Sequence, residues 1–455
     1  MQKNILGTAP IGKLMVKFAV PSIIAMLVGA IYNIVDQLFI GNFVSTLGNA
    51  ATNVVFPLTS ACIAIALLFG TGGASCFNLD MGKGDTEKAP YYIGNAVTAM
   101  TIGGVLLAVF TIVFLTPILK FLAASENVMP YARDYLMVTA FGFPFLILTT
   151  SGGHLMRADG SPKMTMICGI LGAVINVFLD ALFVIVFQWG MKGAALATII
   201  GQFISAVVVV WYMTKFKTVK LKFKHFVPKL KITLKAASIG TASFVNQLAM
   251  MVVQILINNS YKIYGAASVY GSDIPITCAG IIMKTAMIIF SVVIGIAQGA
   301  QPIESFNYGA KKYDRVKSAF WWAFLSSGVI SVLQFFAFQF FPRTLLSFFG
   351  EGSELYYEFG VKFFRVYMFF VFISFIQTIA STFFTAIGKP IKGAFLSLSK
   401  NIICFVPFLL ILPHFFGING ILYSGPCADF VAVALNVILI TIEFKKMKKE
   451  SSLMK

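Results

Sequence analysis

The stretch VPSIIAMLVGAIYNIVDQLFIG, residues 20–41, is an apolar run of about the length that an α-helix needs to cross a bilayer. It contains a single acid, Asp36, and a similar stretch, ICGILGAVINVFLDALFVIVF (residues 167–187), contains Asp180. A charged side chain at the centre of a membrane helix costs about 2.5–3.5 kcal/mol on insertion scales, so such residues are usually functional. The two acids therefore predict a site within the membrane that binds and releases protons or cations.

The composition indicates a membrane protein. Hydrophobic residues make up 58% of the 455 residues and charged residues only 11%, whereas soluble proteins contain about 25% charged residues. Twelve apolar runs are long enough to span a bilayer, which predicts an all-α polytopic membrane protein with twelve transmembrane helices. The predicted spans are residues 14–40, 51–77, 91–117, 130–153, 163–187, 192–213, 233–264, 276–301, 315–341, 355–384, 393–415 and 417–443.

The net charge of +18 is spread over the connections between these runs, which argues against a nucleic-acid-binding face. Most Lys and Arg lie in the even-numbered connections and in the two tails. Because positively charged connections stay on the cytoplasmic side, we expect both termini in the cytoplasm and the protein in the cell membrane. The most basic connection, residues 215–225, is expected to contact lipid headgroups.

The two halves of the chain repeat each other. Each repeat contains six predicted spans, and because six is even, the repeats are parallel and enclose a cleft that opens alternately to either side. The predicted domains are an N-terminal lobe (N-lobe, 1–214), a basic linker (215–232), a C-terminal lobe (C-lobe, 233–444) and a basic tail (445–455). Three motifs recur at offsets of 227, 228 and 227 residues: LDMGKGD (79–85) with FNYGAKK (306–312), RADGSP (157–162) with TAIGKP (385–390), and WGMKG (189–193) with FGING (416–420).

Other chemistry is not indicated. The six Cys and three His have no metal-ligand spacing, and no P-loop is present, so we expect no metal centre, no cofactor and no ATPase domain. An ion gradient, a partner protein or the substrate's own gradient must then drive transport. We expect a monomer embedded in membrane lipid.

Several motifs resemble the multidrug and toxic compound extrusion (MATE) family. They are YNIVDQLFIG (32–41), GIAQGAQP (295–302) and NYGAK (307–311), and the glycine–proline turns and the length agree. The pairing of Asp36 with the NVFLD motif ending at Asp180 is similar to the DinF-type branch. The resemblance implies a V-shaped, twelve-helix antiporter that exports organic cations in exchange for H⁺ or Na⁺.

The candidate coupling residues fall on two helix faces. Asn176 and Asp180 are four residues apart on the fifth span, and Tyr32 and Asp36 have the same spacing on the first, with Asn33 beside them. If these faces meet, burial and the second carboxylate favour binding of a proton by the pair. Asp36, Asn176 and Asp180 also offer oxygens for Na⁺, but the pattern favours H⁺.

The C-lobe has no acid at the positions equivalent to Asp36 and Asp180. Gln254 and Gln377 are its candidate polar residues for the cleft or a gate. Lys284, in the eighth span, is expected to be the one Lys or Arg inside a span, with an ammonium that extends to the membrane surface, faces the cleft or pairs with an acid. Asp429 and Glu304 are weaker candidates.

Two alternatives to a cation antiporter remain. A flippase for lipid-linked saccharides needs several basic residues in its cleft, whereas deep acids dominate here. An integral-membrane enzyme or a scaffold is more distant, because no nucleophile, metal set or acid–base arrangement is apparent.

Overall fold

The computed structural model of the protein describes residues 4–122, 124–271, 273–348 and 352–453, apart from the side chain of Thr46. The described chain is built of helices, and the long ones follow the predicted spans. They are α1 (Ile11–Phe39), α2 (Thr46–Lys83), α3 (Ala89–Val113), α4 (Met129–Ala158), α5 (Pro162–Asp180), α6 (Gly190–Thr214), α7 (Leu230–Ala266), α8 (Asp273–Gly309), α9 (Tyr313–Phe340), α10 (Glu354–Val366 with Val371–Ala386), α11 (Pro390–Leu398 with Phe405–Phe416) and α12 (Ile418–Ser452).

Eleven of these helices are long and apolar enough to cross a membrane, and the two halves of α10 form a twelfth span that is bent by 54°. The prediction of twelve transmembrane helices is therefore confirmed. The tenth span is not the continuous helix that its apolar run indicates, because its halves are joined by residues 367–370. Helix α12 continues to Ser452, so the predicted tail is helical up to that residue.

The repeated glycine–proline motif forms a turn that ends one helix and begins the next. Gly160 and Gly388 have φ of +80° and +73°, a left-handed conformation that favours glycine. Pro162 and Pro390 then occupy the first turns of α5 and α11, where a proline costs no hydrogen bond. The repeat seen in the sequence thus marks equivalent helix boundaries in the two halves.

Three helices contain a π-helical segment, in which the backbone bonds to the fifth residue before it. Helix α1 ends in Ile40–Val44, α5 continues as Ala181–Val186, and the two parts of α11 are joined by Ser399–Cys404. Such segments are rare and frequently occur at functional sites because they change the direction in which side chains point.

The first helix of each half packs against the second helix of the other half: α1 against α8, and α7 against α2. Glycines allow close contact between α7 and α2, and also between the two second helices, α2 and α8. A Cβ atom on Gly240 of α7 would lie 1.8 Å from the carbonyl oxygen of Leu68 in α2. A Cβ atom on Gly309 would lie 2.1 Å from that of Leu79, and one on Gly82 would be equally close to the backbone of α8. The halves therefore meet backbone to backbone, as small residues permit in membranes.

The connection between the halves is bound to the first half. The side chain of Asn95 in α3 donates to the carbonyl oxygen of His225 (2.9 Å) and accepts from the backbone N–H of Lys229 (2.6 Å). Burial and the neighbouring lysines lower the pKa of His225, so its ring is neutral at pH 7. Its Nδ1 accepts from the backbone N–H of Lys222 (3.0 Å). We call the end of the bundle that carries this connection the linker end.

Asp159, in the turn between α4 and α5, also fastens the connection. Its buried carboxylate accepts from the hydroxyl of Tyr212 (2.6 Å), from the backbone N–H of Lys217 (2.7 Å), and from both the N–H (2.8 Å) and the hydroxyl (2.6 Å) of Thr218. Burial raises the pKa of Asp159, although the four donors oppose this. The equivalent residue of the second repeat is Ile387, so this anchor belongs to the first repeat alone.

Replacing Asp159 by Ala is expected to destabilise the protein by about 3 kcal/mol, because bonds to a charged group contribute about 1.5–3 kcal/mol each. The measurement is the midpoint of thermal unfolding in detergent, followed by tryptophan fluorescence. Asp85→Ala is the matched control, since Asp85 is exposed and accepts only from the N–H of Lys88. Equal midpoints for the two variants would contradict the anchoring role.

Candidate functional site

Helices α1 and α5 bring the two membrane acids together in the N-lobe. Asp36 lies one turn before the π-helical end of α1, and Asp180 is the last residue of α5 before its π-helical continuation. Asp180 is fully buried, and Asp36 is 9% exposed. Their carboxyl groups lie close enough to interact directly with each other. The structure thus joins the two helix faces that the spacing of polar residues had suggested.

The contact between the two carboxyl groups has a chemical consequence. Two carboxylate ions repel each other, and a hydrogen bond between the groups requires that one of them carry a proton. The Oδ1 atoms of both Asp36 and Asp180 are buried and have no other partner in the described chain. The pair is therefore a unit that can hold one shared proton and still offers acceptor oxygens.

Asn176 completes the α5 side of the cluster. In the orientation that satisfies both ends of its amide, Nδ2 donates to Oδ2 of Asp180 (3.2 Å) and Oδ1 accepts from the backbone N–H of Thr198 (3.2 Å). Close packing of α5 on α6 makes this contact: a Cβ atom on Gly201 would lie 2.8 Å from the carbonyl oxygen of Gly172. The amide oxygen of Asn176 is thus already used within the protein.

Two tyrosines, Tyr32 and Tyr135, lie beside the acids, whereas the predicted residue Asn33 does not. The hydroxyl of Tyr32 lies close to the side chain of Gln202 in α6 and to both acids. Tyr135 of α4 is also near Asp36 and Asp180. Asn33 is exposed and donates to the carbonyl oxygen of Gly29 in its own helix (2.7 Å), so the structure does not place it in the cluster.

The sequence patterns did not single out Tyr135 or Gln202. The available signal for Gln202 was the repeat itself, because an offset of 227 residues aligns it with Asp429. No comparable signal exists for Tyr135, whose helix contributes no other polar group to the cluster.

Basic side chains do not neutralise the two acids. Neither Asp36 nor Asp180 forms an ion pair with a Lys, Arg or His of the described residues. The same part of the chain contains no group of three or more His, Cys, Asp or Glu side chains arranged to hold a metal ion. The pair is therefore a buried negative site with no built-in counter-ion.

The candidate cleft residues of the C-lobe do not form a comparable cluster. Gln254 is exposed on α7 and donates to Oδ1 of Asn258 (3.1 Å). Gln377 is buried in α10 and accepts from Nδ2 of Asn436 (2.7 Å). Lys284 is exposed on α8, and Glu304 is buried near the linker end of that helix.

One prediction about lysine is wrong: Lys284 is not the one lysine inside a span, because the span Pro390–Phe416 contains Lys400. Lys400 lies ten residues into α11, about 15 Å from its start. Its ammonium contacts Oδ1 of Asp429 in α12 (2.7 Å). Its position near the start of an apolar run is typical of a lysine that extends to the membrane surface, and only the packing of α11 on α12 reveals the pair.

The two halves of the chain also match one family model. The MatE model matches residues 21–182 and 242–411, one segment in each repeat. The chain belongs to the multidrug and toxic compound extrusion (MATE) family. Members of this family are membrane transporters, so this MATE protein is a multi-pass membrane transporter of small molecules.

Multidrug export proteins and a solved MATE structure are similar to this chain over nearly its full length. The multidrug export protein MepA of Staphylococcus haemolyticus (strain JCSC1435) is 24% identical over 430 residues, covering 94% of this chain and 93% of that protein. MepA of Staphylococcus aureus (strain MSSA476) is 23% identical over 446 residues, covering 98% and 96%. A solved structure described as the outward-facing conformation of a multidrug resistance MATE family transporter superposes with a TM-score of 0.90 at 20% identity, covering 99% of both chains. The predicted fold of twelve helices in two six-helix repeats is confirmed.

Proposed function

We propose that this MATE protein is a secondary active antiporter that exports organic cations in exchange for H⁺ across the cell membrane. The observation that carries the proposal is the contact between Asp36 and Asp180, two buried carboxyl groups from different helices with no basic partner. Such a pair binds either a proton or another cation, and this competition is the chemistry that an antiporter needs. The names of the related MepA proteins, multidrug export proteins, support drugs as substrates.

The proposed cycle follows from this competition. With the site open to the cytoplasm, the pair loses its proton and attracts a cationic substrate. After the site opens to the outside, a proton returns to the pair and releases the substrate. The two acids titrate as one coupled unit, so the proton belongs to the pair and not to either residue.

The lobes are proposed to rock about the contacts between α1 and α8 and between α2 and α7. In this structure α2 is in close backbone contact with α7 at Gly240 and with α8 at Gly82 and Gly309, near the linker end. Backbone contacts without interlocking side chains can separate with little rearrangement, which suits alternating access. The predicted lobe boundaries, cytoplasmic termini and monomeric state are part of this proposal.

A polar stripe on α7 supports a water-filled cleft. Gln254 and Asn258 are exposed at a spacing of four residues, with Lys262 one turn further, although the helix spans the membrane. Exposed amides at this depth are stable beside water and costly beside lipid. Lys284 is exposed on the adjacent helix α8, and we assign it to the same cleft, where it disfavours strongly cationic substrates close by.

Na⁺ is the second candidate for the coupling ion. Its proposed ligands are Asp36, Asn176 and Asp180, but the amide oxygen of Asn176 already accepts from Thr198. Asp36 and Asp180 are buried, so their two carboxylates alone give fewer oxygens than a Na⁺ without water ligands requires, whereas a shared proton needs only the contact between the two groups. We therefore favour H⁺. The lipid-linked saccharide flippase is not favoured, because the N-lobe site is acidic.

The coupling ion is tested with the purified protein in liposomes that contain a cationic fluorescent dye. An imposed pH gradient in Na⁺-free buffer is expected to drive dye transport against its concentration gradient. A Na⁺ gradient at equal pH on both sides, balanced with an organic cation, is expected to drive none. Transport under the Na⁺ gradient alone would overturn proton coupling while leaving the antiporter function intact.

A further inference from the structure

The C-lobe contains an acid site of its own, and a lysine of the chain occupies it. The ammonium of Lys400 lies 2.7 Å from Oδ1 of Asp429, while the hydroxyl of Ser374 in α10 donates to Oδ2 of the same carboxylate (2.8 Å). The side chains of Lys400 and Asp429 are only 25% and 13% exposed. Both carboxylate oxygens thus have a donor, and one donor carries a full positive charge.

The surrounding structure holds the lysine in place. Lys400 lies within the π-helical segment Ser399–Cys404, and its neighbour Asn401 donates to Oδ1 of Asn246 in α7 (3.2 Å). On the other side, Tyr367 packs against α12, where a Cβ atom on Gly425 would lie 2.9 Å from its ring. Helices α7, α10, α11 and α12 therefore converge on this group.

The repeat makes the two lobes directly comparable. Asp429 is equivalent to Gln202, which lies beside Tyr32 in the N-lobe cluster, since 429 and 202 differ by the repeat offset of 227. The N-lobe thus places two acids beside a neutral amide with no basic partner. The C-lobe places one acid beside a covalently attached cation.

We propose that Lys400 is a tethered cation that occupies a cation site formed by Asp429 and Ser374. A free monovalent metal ion in place of the ammonium would contact Oδ1 of Asp429, and water can supply its remaining ligands because the site is partly exposed. Because the ammonium cannot leave the protein, the C-lobe exchanges no coupling ion, and exchange is confined to Asp36 and Asp180. The role of Asp36 and Asp180 rests on the proposed function, whereas the occupation of the C-lobe site by Lys400 does not depend on it or on which ion the N-lobe uses.

The same pair could serve merely to fasten α11 to α12, and the two roles lead to different results. Removing one partner of a buried ion pair leaves an uncompensated charge, which is strongly destabilising. In a cation site, added Na⁺ restores the missing charge and the stability. If the ion pair only holds α11 against α12, added Na⁺ does not restore the stability.

The test compares the full-length protein with Lys400→Met and with the double variant Lys400→Met/Asp429→Asn, purified in detergent. Thermal unfolding is followed with increasing NaCl at constant ionic strength, balanced with choline chloride, at a pH of about 8.5 so that protons compete weakly for the carboxylate. Any Na⁺ effect at the N-lobe is common to all three proteins and is subtracted as the wild-type response.

Relative to the wild type and the double variant, Lys400→Met is expected to gain a saturable rise in the unfolding midpoint with Na⁺, matched by one additional saturable site for radioactive ²²Na⁺. Lys400→Gln, which keeps a polar side chain, is the second variant and is expected to gain the same response. The proposal is overturned if neither single variant gains it or if the double variant keeps it. Failure of both single variants to fold in high NaCl also overturns it, because Na⁺ should then restore them.

Discussion

Export against a gradient is expected to fall to background when either Asp36 or Asp180 is replaced by Asn. Each change keeps the size and shape of the side chain and removes the group that exchanges a proton. The amide introduced at either position can donate to the remaining carboxylate, which leaves that carboxylate ionised and ends the sharing of a proton. The variants are therefore expected to be folded, present in the membrane and inactive.

The measurement is dye accumulation in cells that lack their own efflux pumps, together with pH-driven transport in liposomes. Asp134→Asn is the matched control, because Asp134 is half-exposed in α4 and pairs with Lys192 at 3.4 Å, outside the cluster. The control is expected to export like the wild type. Wild-type export by either Asp36→Asn or Asp180→Asn would refute the assignment of coupling to this pair.

A larger side chain between α2 and α7 is expected to abolish export because it forces the two helices apart. In Gly240→Val, the added side chain has its Cβ atom 1.8 Å from the carbonyl oxygen of Leu68, a distance at which the backbones must separate. The lobes can then no longer close near the linker end, so the state described here is lost from the cycle. We expect export at background and a protein that stays in the opposite conformation.

A native cysteine reports this separation. Cys76 of α2 is buried against α7, with its Sγ 3.9 Å from the carbonyl oxygen of Lys235. Its labelling by a polar thiol reagent, mapped by mass spectrometry, is expected to be faster in Gly240→Val than in the wild type. Gly280→Val is the control, because a Cβ atom at that helical glycine of α8 has no neighbour within 4 Å. Normal export in Gly240→Val would show that this contact does not close in the cycle.

The helices could be predicted from the sequence because lipid imposes a simple requirement: each span must be apolar over about 20 residues. The glycine–proline turns and the glycines at positions 82 and 309 were visible as a repeat, and both mark real boundaries or contacts. The break in α10 was not visible, since its four connecting residues are as apolar as the spans.

The candidate site was only partly predictable. Tyr32, Asp36, Asn176 and Asp180 follow the four-residue spacing of one helix face, and the structure brings those faces together. Asn33 shows the limit of this reasoning, because adjacent residues lie about 100° apart around a helix. Gln202 and Tyr135 come from other helices, whose rotation no local pattern reveals.

The amino-acid sequence was enough for the membrane class, the number of spans, the twofold repeat and the two acids of the N-lobe, because each depends on local composition or on spacing along the chain. The tertiary structure alone decided how charges pair between helices. Asp36 and Asp180 are 144 positions apart and lie side by side, while Lys400 and Asp429, on separate helices, form an ion pair. Ion pairing falls off over a few ångströms, and distances on that scale are determined by helix packing rather than by spacing along the chain.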